Sequence, residues 1–298
     1  MISGRPIKEG VGDWVLLGAP VYTLAGYRGM GEAPDSLRKA GLSEIGGAAD
    51  LGNVSLPPLK KDVTDGRTKN LGHFREATAK IYAASRSLDA ERVIVVGGEC
   101  SETVGATAGL GEAFGGRPGM LWLDAHGDFN TPETSPSGYV GGMCLALACG
   151  RARGLRLGVE DEKLPLTEER LVHVGSRALD PPEVAALTSS PAKLFTSQQV
   201  KKSGAADVAE EAARHLDNRS DWIICHLDVD VIDPKFVSAV DYPTPGGLTL
   251  EETALIIREL NGTKKLRVLE LAAYNPSKDR AARSAATINE LMRKSLAP

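Results

Sequence analysis

The chain has 298 residues, of which 42% are hydrophobic, so it can bury a sizeable core as one large domain over residues 1–298. Its 35 basic and 39 acidic residues give a formal net charge of −4 and form no long run of one sign. This excludes the electrostatic pattern of a protein that binds nucleic acid or an anionic membrane. No apolar stretch approaches the roughly 20 residues of a membrane span. We therefore expect a cytoplasmic protein that acts on a small molecule.

Short apolar segments alternate with helical patterns along the chain. Strands are predicted at residues 14–17, 92–96, 120–123, 171–174, 222–227 and 266–271. Helices are predicted at residues 33–40, 70–88, 181–187, 205–216, 250–260 and 281–294. This alternation favours an α/β fold with a mainly parallel sheet that is covered by helices on both faces. Binding sites in such sheets lie beyond the carboxyl ends of the strands.

Two acidic clusters follow predicted strands. Asp124, His126 and Asp128 come after the strand at 120–123, and Asp228 and Asp230 come after the strand at 222–227. Residues two apart in an extended segment share a face, so each cluster should converge on one point. A single such motif can be only a helix cap or a turn. Two clusters with the same ligand types would repel each other without cations among them, which favours a pair of metal ions.

These motifs resemble those of the ureohydrolase superfamily, which includes arginases and agmatinases. The two clusters lie in Asp-Ala-His-Gly-Asp at 124–128 and Asp-Val-Asp-Val-Ile-Asp-Pro at 228–234, and the segments at 18–38 and 97–101 also resemble family signatures. The resemblance implies a three-layer α/β/α, arginase-like fold and two divalent metal ions, for which we expect Mn²⁺. It implies six metal ligands, which are Cys100, Asp124, His126, Asp128, Asp228 and Asp230.

The resemblance also assigns roles within this set. Asp124 and Asp228 would bridge both ions, Asp128 and Cys100 would complete one ion, and His126 with Asp230 would complete the other. A hydroxide that bridges the ions would attack the substrate, with Asp128 and His126 as catalytic residues. A second reading remains open, in which Cys100 is an inert buried cysteine beside a single metal ion.

The polar loop that follows the first cluster is similar to the arginase branch of the superfamily. By this resemblance, five polar residues would hold the α-amino and α-carboxylate groups of an amino-acid substrate, namely Asn130, Ser135, Ser137, Asp180 and Glu183. The alternative is that the serines and threonines only shape a polar loop.

Three positions depart from the arginase pattern. Cys100 replaces a histidine ligand, Gly141 replaces a proton-shuttling histidine, and Ala273 replaces the glutamate that holds the guanidinium. The Cys replacement resembles a small branch that hydrolyses N-omega-hydroxy-L-arginine. We therefore expect an amidinohydrolase that cleaves a C–N bond of a modified arginine.

Two other functions stay open. One is a metallohydrolase of a formimino or linear amide substrate, and the other is a catalytically weakened family member with a binding or regulatory role. By resemblance alone, we expect a homo-oligomer, either a trimer or a hexamer.

Overall fold

A computed structural model of the protein describes residues 14–152, 155, 157–159 and 164–296. Its strands are β1 (Trp14–Ala19), β2 (Ala49–Asn53), β3 (Thr64–Asp65), β4 (Thr68–Lys69), β5 (Arg92–Gly97), β6 (Pro118–Leu123), β7 (Leu171–Val174), β8 (Lys193–Phe195), β9 (Trp222–Asp228) and β10 (Leu266–Ala272). Its α-helices are α1 (Ala33–Lys39), α2 (Leu71–Arg86), α3 (Glu102–Phe114), α4 (Cys144–Ala148), α5 (Pro181–Ser189), α6 (Ser197–Ser203), α7 (Ala205–Asp217), α8 (Leu250–Gly262) and α9 (Arg283–Leu296).

Eight parallel strands of the described residues form one sheet in the order β2-β1-β5-β10-β9-β6-β7-β8. The predicted α/β fold with a mainly parallel sheet is confirmed. All six predicted strands lie in this sheet, and the six predicted helices form with ends shifted by a few residues. The strands β2, β3, β4 and β8 and the helices α3, α4 and α6 were not predicted. The predicted single domain of residues 1–298 extends past the described residues and stays a prediction.

The sheet separates two hydrophobic cores, which gives the fold its three layers. Along β6, Leu121 and Leu123 point into the core that α7, α8 and α9 cover. Met120 and Trp122 point into the opposite core, which α2, α3 and α4 cover. This alternation follows from the period of two in a strand, and it explains why a strand buried on both faces is continuously apolar. No helix in the described part of the chain is both long enough and apolar enough to cross a membrane.

The strand order determines where a site can form. The strands β5, β10, β9 and β6 lie side by side in the middle of the sheet, and all of them run in the same direction. Loops that leave their carboxyl ends therefore start close together in space, as is usual for binding sites in α/β folds.

Candidate functional site

The two predicted acidic clusters meet at this edge of the sheet. Asp124 follows the end of β6 directly, and Asp228 is the last residue of β9. The expected reason for their convergence is wrong, because neither cluster continues as a strand. Asp128 lies in a loop with a left-handed φ of 47°, and Asp230 lies on a short 3₁₀ turn, Val229–Val231. The chain bends sharply after each strand, and these bends bring the side chains together.

The loop after β5 brings Cys100 to the same place. A side chain at Gly98 would put its Cβ only 2.1 Å from the carbonyl oxygen of Val21, so the close passage of these two backbones requires glycine. The amide of Ala273 donates a hydrogen bond to the carbonyl of Gly98 over 3.0 Å, which ties this loop to the end of β10. Cys100 follows two residues later and is 5% exposed.

Five of the six predicted metal ligands form two overlapping groups. Ligand atoms of Cys100, Asp124 and Asp128 lie within 4.8 Å of one another, and so do those of Asp124, His126 and Asp230. Asp124 belongs to both groups, which is the placement required of a bridging ligand.

Asp228 joins these two groups. One of its oxygens accepts a hydrogen bond from Cys100 Sγ over 3.0 Å, and the other accepts from the amide of Asp230 over 2.7 Å. The structure thus brings all six side chains together, while their individual roles stay predictions.

The cluster carries more negative charge than its own basic group can balance. Burial raises the pKa of Asp128, Asp228 and Asp230, and neighbouring carboxylates raise each of them further. Nδ1 of His126 lies 3.2 Å from Asp230 and 3.4 Å from Asp124. Burial alone would lower the pKa of this imidazole, but the hydrogen bonds to the two carboxylates raise it to about 12. One imidazolium offsets only one of four buried carboxylates, so the donor set fits divalent cations.

Cys100 is a thiol, whereas the other five predicted ligands are carboxylates and an imidazole. Burial raises its pKa well above the usual value, and its contacts with Cys144 and Asp228 add to the effect. A thiol in this position stays protonated unless a cation replaces the hydrogen. The group that contains Cys100 therefore fits a divalent ion, and it offers a softer ligand than imidazole.

A stacked pair of rings, Trp122 and His226, positions the carboxylate of Asp124. Trp122 Nε1 donates to Asp124 over 2.9 Å, and its indole stacks on the ring of His226 with centroids 3.6 Å apart. His226 Nδ1 in turn lies 2.8 Å from a carboxylate oxygen of Glu270. His226 and Glu270 are fully buried. They hold the bridging candidate in place through Trp122 and lie outside the ligand groups.

A pocket of about 300 Å³ opens above the cluster, and it includes all five residues predicted to bind substrate. Asn130 donates to Asp180 over 3.0 Å and accepts from Thr134 over 3.0 Å. Both oxygens of Glu183 accept backbone amides, those of Phe129 and Asp180, each over 2.9 Å. Glu183 therefore holds the loop and caps α5 in a capping box with Asp180.

The two predicted serines also line this pocket and have contacts inside their own loop. Ser135 Oγ accepts from the amide of Gly138 over 3.0 Å, and Ser137 Oγ accepts from the amide of Tyr139 over 3.1 Å. The two hydroxyl oxygens also lie 3.5 Å apart, so one hydroxyl can donate to the other while the second keeps its hydrogen for another acceptor. The serines thus shape the loop and still offer one donor to the pocket.

Three polar side chains that line the pocket were not predicted as site residues, namely Glu99, Tyr139 and Asp241. Tyr139 donates to Glu99 Oε2 over 2.7 Å. Asp241 pairs with Lys278 Nζ at 2.7 Å and accepts from Asn275 Nδ2 at 2.7 Å. Glu99 stands next to Cys100 and was recognisable as a candidate, whereas Tyr139 and Asp241 enter the pocket only through the path of their loops. Tyr242 lines the pocket too.

Comparison with known proteins agrees with this geometry. The family model described as Arginase family matches residues 12–297. The chain is 31% identical over 286 residues to an arginase of Bacillus caldovelox, which covers 93% of this chain and 95% of that protein. The solved structure of Bacillus caldovelox arginase has a TM-score of 0.89 to this fold at 30% identity, over 97% of this chain and 99% of that one. An Entamoeba histolytica arginase solved with L-ornithine has a TM-score of 0.85 at 26% identity, over 96% of this chain and 99% of that one.

These relatives confirm the resemblance at the level of the family. They are arginases by name, so they do not support the finer resemblance to a branch that hydrolyses hydroxyarginine. The family implies a binuclear metal site, and the buried groups around Asp124 provide candidate ligands for it. The matched family, the shared fold and this cluster of ligands show that the chain belongs to the arginase family of metal-binding ureohydrolases.

Proposed function

We propose that this protein hydrolyses a C–N bond in the guanidino-type group of a modified arginine of low basicity, such as N-omega-hydroxy-L-arginine. The observation that carries the proposal is Ala273, which lines the pocket with a methyl group where the arginase pattern has a carboxylate. Without a paired carboxylate, a guanidinium cation loses about 2–3 kcal/mol of binding free energy. A less basic substrate carries less positive charge and therefore loses less binding free energy.

Two carboxylates that line the same pocket as Ala273, those of Asp241 and Glu99, support the same proposal because they already have partners. Asp241 forms an ion pair with Lys278. Glu99 Oε1 accepts hydrogen bonds from Thr23 over 2.6 Å and from Ser101 over 2.8 Å. A free guanidinium would therefore compete with existing contacts for either carboxylate.

The six clustered side chains would hold two divalent ions, and we propose Mn²⁺ for both. Such ions lower the pKa of water towards neutrality and stabilise negative charge that develops on the substrate. Asp128 would orient the attacking water and then pass a proton to the leaving nitrogen, because a carboxylate can both accept and donate a proton. Asn130, Asp180 and the loop serines would bind the α-amino and α-carboxylate groups.

Steady-state kinetics with the manganese-loaded protein test the substrate. We expect kcat/KM for N-omega-hydroxy-L-arginine to exceed that for L-arginine, with hydroxyurea as the released product. A strong preference for arginine would contradict the proposal. Turnover of formimino-L-glutamate or neutral amides without dependence on the α-amino group would favour the other metallohydrolase. Absence of turnover together with less than one bound metal per chain would favour a binding role.

Two substitutions at position 273, one charged and one neutral, give this test a matched control. Ala273→Glu restores the carboxylate of the arginase pattern and should raise the ratio of arginine to hydroxyarginine turnover by about tenfold or more. Ala273→Gln has nearly the same size but no charge, so it should not shift the ratio towards arginine. An equal response to both substitutions would show that size rather than charge governs the preference.

We also propose a homo-oligomer, a trimer or a hexamer, on the strength of the family resemblance. Light scattering coupled to size exclusion measures the mass directly, and a monomer at micromolar concentration would contradict this proposal.

A further inference from the structure

The space beside Gly141 is filled by another side chain. A Cβ at Gly141 would lie 2.3 Å from Cζ and 2.4 Å from the hydroxyl oxygen of Tyr139. No side chain can occupy position 141 unless this ring moves. The glycine therefore leaves no void in the pocket wall, because a tyrosine from two residues earlier takes the place of its side chain.

Tyr139 is held in this position from two sides. Its hydroxyl donates to Glu99 Oε2 over 2.7 Å, and Glu99 is 2% exposed and fixed at its other oxygen by Thr23 and Ser101. The ring packs edge-on against Tyr27, with centroids 5.6 Å apart and planes at 72°. A phenol that is anchored at both its ring and its hydroxyl presents a fixed oxygen to the pocket.

The hydrogen-bonding capacity of this phenol determines what it can recognise. Burial and the carboxylate of Glu99 raise the pKa of Tyr139 well above its usual value, so the hydroxyl keeps its hydrogen. That hydrogen is used by Glu99, and the oxygen keeps acceptor capacity for a donor in the pocket. Donation to a carboxylate also strengthens an oxygen as an acceptor.

We propose that the hydroxyl of Tyr139, positioned by Glu99, determines specificity by accepting a hydrogen bond from a terminal N–H or N–OH group of the substrate. It offers a neutral acceptor at a pocket wall that it shares with Glu99, Cys100 and Asp128. A neutral acceptor suits an uncharged or weakly basic group better than a guanidinium. This inference rests on the proposed function, and it names the residue that recognises the reacting end of the substrate.

Removal of the hydroxyl tests the proposal, because Tyr139→Phe keeps the ring that fills the space beside Gly141. In the manganese-loaded protein we expect kcat/KM for N-omega-hydroxy-L-arginine to fall about tenfold to a hundredfold, with unchanged metal content. Tyr82→Phe is the matched control, since Tyr82 also donates to a glutamate, Glu112, but on the exposed surface of α2 and α3. This control should stay within about twofold of the wild type.

A binding measurement separates recognition of the reacting end from damage to the rest of the pocket. L-norvaline has the α-amino and α-carboxylate groups but no terminal nitrogen, so Tyr139→Phe should leave its calorimetric Kd unchanged. The proposal would be overturned if Tyr139→Phe weakened norvaline binding as much as it lowered kcat/KM for hydroxyarginine. It would also be overturned if kcat/KM for hydroxyarginine stayed within twofold of the wild type.

The overlap between Tyr139 and position 141 gives a second test that does not depend on the choice of substrate. Gly141→Ala should reduce kcat/KM at least as much as Tyr139→Phe, because the new methyl group displaces the ring. In a Tyr139→Ala background the same substitution should have almost no further effect. If the effects of Gly141→Ala and Tyr139→Ala on kcat/KM were additive, the two positions would not share the same space and the proposal would be overturned. A wild type that prefers arginine would overturn the proposed substrate alone. The Tyr139→Phe variant and the Gly141→Ala cycle can then both be measured with arginine.

Discussion

Cys100 introduces a sulfur atom among oxygen and nitrogen ligands. It shares a ligand group with Asp124 and Asp128, and it is buried. Thiolate favours softer metals such as Zn²⁺ over Mn²⁺, whereas imidazole discriminates less. If the two proposed ions bind, the residue at position 100 would influence which ion is preferred at one of the two sites.

The first prediction concerns this metal preference. Cys100→His should shift competition between Mn²⁺ and Zn²⁺ towards Mn²⁺ by about tenfold or more, measured as bound metal after dialysis against equal mixtures of both ions. Cys149→Ser, which alters a partly buried cysteine outside the ligand groups, is the control and should not change the ratio. No shift in the Cys100 variant would mean that the thiol does not bind metal.

The second prediction concerns Asp128, the proposed proton carrier. Asp128→Asn keeps an oxygen that can bind metal but loses the ability to accept a proton. We expect metal content to stay close to the wild-type value while turnover falls by about a thousandfold or more. Unchanged turnover would remove Asp128 from the reaction.

The third prediction uses His173, which is fully buried in β7 and has no hydrogen-bond partner on either ring nitrogen. Burial lowers its pKa from 6.5 to about 4. Between these values the unfolded chain binds a proton that the folded chain does not, so the free energy of unfolding falls as pH decreases. The loss attributable to His173 is at most about 3 kcal/mol between pH 6.5 and pH 4.

His173→Leu should remove this part of the pH dependence. Urea denaturation between pH 7 and pH 4, with a chelator present so that metal release does not contribute, gives the slope for each protein. A slope as steep in the variant as in the wild type would show that His173 does not titrate in this way.

At the scale of elements, α2 and α3 approach each other unusually closely. A Cβ at Gly105 or at Gly109 would lie 2.6 Å from a backbone carbonyl oxygen of α2, that of Thr78 or that of Tyr82. Backbone atoms cannot move aside as a flexible side chain can, so the contact depends on glycine at both positions.

The fourth prediction follows from this contact. Gly109→Ala should lower the free energy of unfolding by about 1–3 kcal/mol, because the two helices must separate. Gly72→Ala is a matched control in α2, since its Cβ would meet no atom within 4 Å, and it should be neutral or stabilise by up to about 1 kcal/mol. Equal stability of the Gly109 variant and the wild type would contradict the close packing.

Glycine content and position in the sheet explain which elements were difficult to predict from the sequence. The helix α3 contains three glycines and two threonines within Glu102–Phe114, so its intrinsic propensity is low and packing against α2 must stabilise it. The strands β2 and β8 are the two edges of the sheet, and both are short and contain no fully buried residue, so neither shows a continuous apolar run. The central strands were predictable because burial on both faces leaves a continuous apolar run.

For the whole molecule, the sequence motifs predicted which side chains form the cluster of candidate metal ligands but not how the chain brings them together. The side chains of Asp124 and Asp228 were predictable as neighbours because parallel strands end at one edge of the sheet. Tyr139 was not, because its place beside Gly141 depends on a loop path that no local pattern encodes. The support of Asp124 through Trp122 and His226 likewise depends on contacts between neighbouring strands.

The proposed chemistry requires that the cluster binds two divalent ions, and the metal content of the purified, manganese-dialysed protein measures this directly. We predict two ions per chain by elemental analysis. Asp124→Asn alters the residue shared by both ligand groups and should lose most of both ions, whereas Asp221→Asn, an exposed aspartate paired with Arg117, should keep them. Fewer than one ion per wild-type chain, or full retention after Asp124→Asn, would contradict the account.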